Sequence, residues 1–249
     1  MHPISGSMAT ALAQRVGTWL GAVLLAAAPA TAAADARLHG RFSATPIVDP
    51  GTAFDLHLAR ADLAVDYDDG SGGGDLRLRR LGLSFHESLS PAARMGIRLG
   101  WAGLTQSGRA ATGGLSPSGY FGELVFAGAW PRGGRVGLDL GASWRYTMVE
   151  ETGSGAERTE LDWQAFELRP ALRVALGAHA SLRLGASAIA VDGDERRLDG
   201  TAATTGFDAD GSGGGFVALD LAWDDGDVIV LRARGGNPAG VYASFEQRY

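Results

Sequence analysis

Residues 136–148 read Val-Gly-Leu-Asp-Leu-Gly-Ala-Ser-Trp-Arg-Tyr-Thr-Met, and their alternation decides the fold class. Val136, Leu138, Leu140, Ala142, Trp144, Tyr146 and Met148 fall on one face. Gly137, Asp139, Gly141, Ser143, Arg145 and Thr147 fall on the other. A period of two belongs to a strand with unlike surroundings on its two sides. The pattern recurs on both flanks. Met95, Ile97, Leu99 and Trp101 oppose Gly96, Arg98, Gly100 and Ala102; Tyr120, Leu124, Phe126 and Trp130 share a face; Val217, Leu219, Leu221 and Trp223 oppose Ala218, Asp220 and Ala222. Further strands are expected over 76–88, 160–176, 181–191, 228–235 and 240–249.

The connections alternate in length. Tight turns stand at 89–92, 132–135, 177–180 and 224–227, built from Gly, Pro, Asp and Ser as turn geometry requires. Longer polar links stand between them at 68–75, 107–118, 152–159 and 192–214; only the link at 235–240 is short where length is expected. Short turns at one end and long loops at the other fit an up-and-down antiparallel barrel. For the first strand both 37–48 and 54–67 qualify, the latter with Leu63, Val65 and Tyr67 on one face. An even count favours using one of them, 54–67. The expected fold is all-β: an antiparallel up-and-down transmembrane β-barrel of about ten strands, with eight and twelve as alternatives.

Alternation alone does not separate a membrane barrel from a soluble one with its greasy face turned inward. Three features favour the membrane. The polar face is rich in Gly, Ser and Ala with isolated charges, and all 22 basic residues are Arg, none Lys; a water-facing surface is normally more charged. The aromatics fall at two levels. Phe85, Trp130, Trp223 and Tyr249 lie toward the tight turns, and Trp101, Tyr120, Trp144, Tyr146 and Trp163 toward the long loops, as interfacial girdles do. The segments also reach the 9–11 residues that a tilted spanning strand needs. Pro170 sits mid-strand and removes a ladder donor, so a bulge is expected there, with a helix across 160–176 as the competitor.

Composition narrows the rest. With 249 residues and Gly 38 but 45% hydrophobic residues, the chain is neither disordered nor collagen-like. Cys 0 removes thiolate chemistry and cysteine-ligated metals, and a net charge of -6 argues against nucleic acid. Residues 1–34 have the form of a secretory signal: Arg15, an apolar run from Val16 to Ala28, then small residues up to Ala34. That leaves 35–249 as a single barrel domain.

The last strand carries Val241, Ala243, Phe245 and the terminal Tyr249 on one face, with Gln247 the exception. Here the chain resembles the bacterial outer-membrane β-barrel family, whose final strand alternates apolar residues and ends on an aromatic. The resemblance implies a Gram-negative outer membrane, contact with its lipid and lipopolysaccharide, and delivery by the barrel-assembly machinery.

The inward face is expected to carry Arg98, Glu123, Asp139, Arg145, Glu167, Arg169, Arg173, Arg183, Asp220, Arg232 and Arg234, together with Glu246 and Arg248. Two readings compete: a narrow porin-like lumen for small polar solutes, anions favoured, and a filled structural barrel. A surface-binding barrel, a lipid-modifying enzyme and a soluble exported β-barrel stand behind them. No cofactor is expected and no catalytic set assembles. Ser84 and His86 share a face, with Glu87 on the other, but His39, His57 and His179 are placed beside no third group. The phrase Asp-Gly-Ser-Gly-Gly-Gly occurs at 69–74 and 210–215; it lacks the ligand order of a calcium loop and reads as flexible loop tips.

Overall fold

The strand order closes on itself. A computed structural model describes residues 51–108, 115–130, 134–152, 158–198, 203–209, 212–223 and 226–249. Among these lie β1 (Thr52–Tyr67), β2 (Gly72–Ser90), β3 (Ala93–Ser107), β4 (Ser118–Trp130), β5 (Val136–Thr152), β6 (Arg158–Ala175), β7 (Ala180–Arg197), β8 (Ala203–Asp208), β9 (Ser212–Ala222), β10 (Val228–Arg234) and β11 (Ala239–Arg248). Neighbours in sequence pair antiparallel from β1 to β7, then β7 pairs β9, β9 pairs β10, β10 pairs β11, and β11 returns to β1. Ten strands therefore form a ring with no open edge, and β8 is an eleventh piece outside that ring. Residues 1–34, where a signal segment is expected, the candidate strand 37–48, His39 and parts of the loops lie outside the described residues.

Strand parity sets inside and outside. Leu138 and Trp144 are 49% and 46% exposed, whereas the residues that follow them, Asp139 and Arg145, are 7% and 8% exposed. The same inside-out arrangement holds toward the turns on every strand. Phe54, Leu56 and Leu58 of β1, Leu81, Leu83 and Phe85 of β2, and Ile97 and Leu99 of β3 all face outward. Such a continuous apolar band far exceeds the roughly 300–600 Å² patch of a typical soluble monomer. Lipid is the environment that accepts it, and closure satisfies the backbone groups that lipid cannot. Outward Phe85, Trp130, Trp223 and Tyr249 mark one rim of the band, and Trp101, Tyr120, Trp144 and Tyr146 the other.

Toward the loop end the pattern inverts. On β2 the outward residues above Leu81 are Arg79, Arg77 and Asp75, while inward Leu78 and Leu76 are buried. On β1 the outward series becomes Arg60, Asp62 and Asp66, and Leu63, Val65 and Tyr67 point inside. The face of 63–67 that reads as lipid-facing in sequence is thus an interior face. Trp163 joins it: at 2% exposure it is buried in the barrel and does not belong to an interfacial girdle. With Leu104, Phe121, Val149, Leu161, Ile189, Val191 and Phe207 it forms one continuous apolar core.

β8 explains why that core fits. The segment 192–214 is expected to be a polar link, but β7 continues to Arg197 and β8 then returns along it, pairing Asp192 to Asp208 and Arg197 to Ala203. Its other edge meets β1, with Asp66 and Tyr67 opposite Asp208 and Phe207. β9, β10 and β11 are short and stop below this level, β11 reaching only as far as Asp62 on β1. The loop end is therefore an eight-stranded ring of β1–β7 and β8, and the turn end a ten-stranded one. Eight strands leave room for little beyond their own side chains.

One residue closes the seam between the two rings. Beyond the end of β11, the Ala64 N–H donates to Asn237 Oδ1 (2.9 Å) and Asn237 Nδ2 donates to the Ala64 carbonyl (2.9 Å). The side-chain amide thus takes the place of a strand residue. Asn237 Nδ2 also donates to Ser212 Oγ (2.9 Å) on β9.

Pro170 is accommodated without a bulge or a helix. It faces outward on β6 opposite Leu140, with the β5–β6 register continuous through it. On the β7 side the ladder runs to Leu168–Ala188, resumes in the same register at Ala171–Gly185, and skips the pairs between. The missing donor falls in that gap.

Candidate functional site: the arginine-lined lumen

The inward residues of the ten-stranded half stand in rows because antiparallel neighbours face one another directly. Glu246, Asp55, Ser84, Arg98, Glu123 and Arg145 are successive partners across β11, β1, β2, β3, β4 and β5. Acids and arginines meet along this row. Arg98 is its centre, donating from Nη1 to Glu123 (2.8 Å), from Nε to Ser84 Oγ (2.8 Å) and from Nη2 to Asp55 (3.3 Å) and Tyr242 Oη (3.3 Å). Arg145 shares Glu123 at 3.4 Å.

The same sharing repeats elsewhere on the wall. Glu167 holds Arg234 at 2.8 Å and Arg169 at 3.1 Å. Glu246 holds Arg248 at 2.7 Å and Arg94 at 2.8 Å. Arg173 pairs with Asp139 at 3.2 Å, and Asp220 accepts from Arg183 and from Ser181 Oγ (3.0 Å for the latter). All eleven lumen residues expected from sequence, Arg98 through Arg234, lie on the inward parity, and these pairings draw all of them but Arg232 into a few clusters.

Two arginines stand apart. Arg80 and Arg232 have no carboxylate partner among the described residues, and the Nε of each is buried with no protein acceptor. Their contacts are aromatic: the Arg80 guanidinium lies 5.9 Å from the Phe121 ring centre, and Arg232 lies 5.5 Å from Phe216 and 5.0 Å from Tyr242. Cation–π contact of this kind contributes on the order of 0.5–2 kcal/mol, well short of a desolvated ion pair.

Ser84 and His86 do come together with a carboxylate. Ser84 Oγ donates to Asp55 Oδ1 (2.9 Å), and His86 Nε2 is 3.3 Å from Asp55 Oδ2. The connectivity is wrong for nucleophilic catalysis, which needs the serine proton on the histidine. Here that proton goes to Asp55, and the Ser84 oxygen accepts from Arg98. His57 sits on the other side of Asp55 at 3.7 Å, stacked on Tyr242. Space for these rings comes from Gly82, where a Cβ would collide with His57, Phe121 and the Leu99 carbonyl.

Sequence reasoning misses Asp55, Arg80, Arg94 and Tyr242. The signal for Asp55 and His57 is present in Phe54-Asp55-Leu56-His57-Leu58, an alternation as clean as that of β5. Reading the face of β1 from Leu63 and Val65 hides it. The repeated glycine phrases are largely strand, since Gly72–Gly74 begin β2 and Gly213–Gly215 lie in β9. No metal-competent cluster of three His, Asp or Glu occurs among the described residues.

No protein-family model and no curated sequence matches the chain. Solved structures that resemble it include the outer membrane protease OmpT from Escherichia coli, at 8% identity and TM-score 0.46, covering 80% of this chain and 97% of that one. The translocator domain of the autotransporter NalP from Neisseria meningitidis aligns at 12% identity and TM-score 0.44 over 98% of both chains. Ail, the attachment invasion locus protein of Yersinia pestis, aligns at 10% identity and TM-score 0.37, over 81% of this chain and 99% of that one. Likeness this distant assigns no activity; the fold stands on the closed ring and its outward apolar band.

Proposed function

We propose that the chain is an outer-membrane β-barrel that is closed to through-flow, its loop end capped by a dry core and its lumen built for internal charge pairing. The observation that carries this reading is the apolar core inside the eight-stranded ring, where Leu63, Leu76, Phe121, Trp163, Ile189 and Phe207 meet across the axis. A water-filled porin needs a polar path through both rims, and small barrels fill with their own side chains. Of the two readings of the charged lumen, the filled barrel is therefore preferred to the porin-like one. Residues 1–34 would direct export, the last strand would engage the assembly machinery, and membrane lipid and lipopolysaccharide would surround the apolar band. The loops would then face the cell exterior and the tight turns the periplasm.

Reconstitution in planar bilayers tests this. The refolded protein is expected to give no discrete conductance steps; stable single-channel openings in the absence of any variant would overturn the reading.

A further inference from the structure

The cap makes the lumen a dead end, and the charges beneath it are unbalanced. Among the described residues, the chamber just under the core is walled by six inward arginines, Arg80, Arg98, Arg145, Arg169, Arg232 and Arg234, against the acids Glu123 and Glu167. Each glutamate is already divided between two arginines. Among the described residues Arg80 and Arg232 remain without an acid, and buried nitrogens of Arg234 also lack an acceptor. The register brings the two unpaired arginines into one row. Arg80 faces Ala59, Ala59 faces Tyr242, and Tyr242 faces Arg232, so a small side chain and one ring separate them along the wall.

Burying a cation without a counter-charge is among the least favourable arrangements a protein makes. Guanidinium forks match the oxygens of phosphate-type anions in geometry as well as charge. Further cavities follow one another from this chamber toward the turn end. A second cavity, lined by Asp55, His86, Arg94, Arg183 and Glu246, shares Arg98, Arg169, Arg232 and Tyr242 with the chamber above it. A third, at the rim beside Gly51, Thr52 and Tyr249, shares His86 and Arg94 with the second.

We propose that the chamber under the cap binds a small divalent oxyanion of the phosphate class, admitted from the turn end and held between Arg80 and Arg232. The inference rests on the closed-barrel reading, since a conducting lumen would pass such an anion rather than hold it.

The test is calorimetric titration of the detergent-folded wild-type protein with inorganic phosphate and, separately, with glycerol 3-phosphate at low chloride. Saturable binding of about one anion per chain is expected. Tighter binding of the ester would identify a phosphoryl headgroup as the natural source, and tighter binding of phosphate a free anion. Arg80→Gln and Arg232→Gln should each weaken binding at least tenfold, whereas Arg79→Gln, which changes an outward arginine next to Arg80, should leave it unchanged. If either glutamine variant loses the gel-mobility shift of a folded barrel, the corresponding Lys variant keeps the charge without the fork and should bind several-fold more weakly. A featureless wild-type titration would overturn the proposal, as would variants that bind like wild type. Channel activity would instead remove the closed-barrel reading, so the two failures are distinguishable.

Discussion

The two halves of this barrel use one wall with opposite polarity. In the ten-stranded half, Leu83 faces out and Ser84 and His86 face in; eight residues earlier on the same strand, Asp75 and Arg77 face out and Leu76 and Leu78 face in. The backbone does nothing different between them. The solvent outside changes from hydrocarbon to water, and the strand count drops from ten to eight, so the interior changes from a space needing charged side chains to one that Leu and Phe can fill. What a β-barrel buries is thus set locally, by what lies beyond the wall and by how wide the ring is.

The largest way to break the contrast is through the cap. Trp163→Ala removes the biggest ring from the apolar core and should cost about 3–5 kcal/mol, read as a lower urea midpoint in detergent. It should also admit ions, giving conductance where the wild type has none. A loss below about 1 kcal/mol would mean that the loop-end core does not hold the ring together.

Next comes a paired test on one outward face of β2. Leu83→Arg places a charge in the hydrocarbon band and should cost about 2–4 kcal/mol. Arg77→Leu, on the same face but in the water-facing half, gives up only an exposed pair with Asp62 (2.8 Å) and should stay within about 1 kcal/mol of wild type. Equal effects of the two would erase the proposed boundary between the halves.

The smallest effect belongs to the seam. Asn237→Ala removes both hydrogen bonds to the Ala64 backbone and should cost about 1–2 kcal/mol. Hydrogen exchange at the Ala64 amide should accelerate, while amides of β4 and β5 remain protected. Unchanged exchange at Ala64 would show that the side-chain amide is dispensable there.

This inversion also explains what the sequence made legible. β5 shows its apolar face unbroken from Val136 to Met148, so its fold, direction and inward charges can be read by parity alone. β1 crosses the boundary, and its apolar residues change face between Leu58 and Leu63 through Ala59, Arg60, Ala61 and Asp62, a stretch with no strong pattern. A parity taken from either end is right for that end only, and Asp55 is lost to the second reading. Trp163 is misplaced for the same reason: β6 has already left the bilayer where it lies. β8 leaves almost no hydrophobic trace, because Phe207 is the single large apolar side chain it sends inward. Charge pairing is a different matter. Parity places the arginines inside, but which acid each one meets depends on register between strands, and register is a property of the folded sheet.

The placement of β8 has a consequence for assembly order. It bridges the first and seventh strands, which are far apart in the chain, and meets the first over two residues only. Entropy disfavours such a long-range closure until shorter-range pairing has been completed. The β7–β8 hairpin is local and needs no such closure, but its two-residue seam with β1 does, so a chain whose first strand has not yet met its late partners would carry the lid unfastened on one side and remain uncorked.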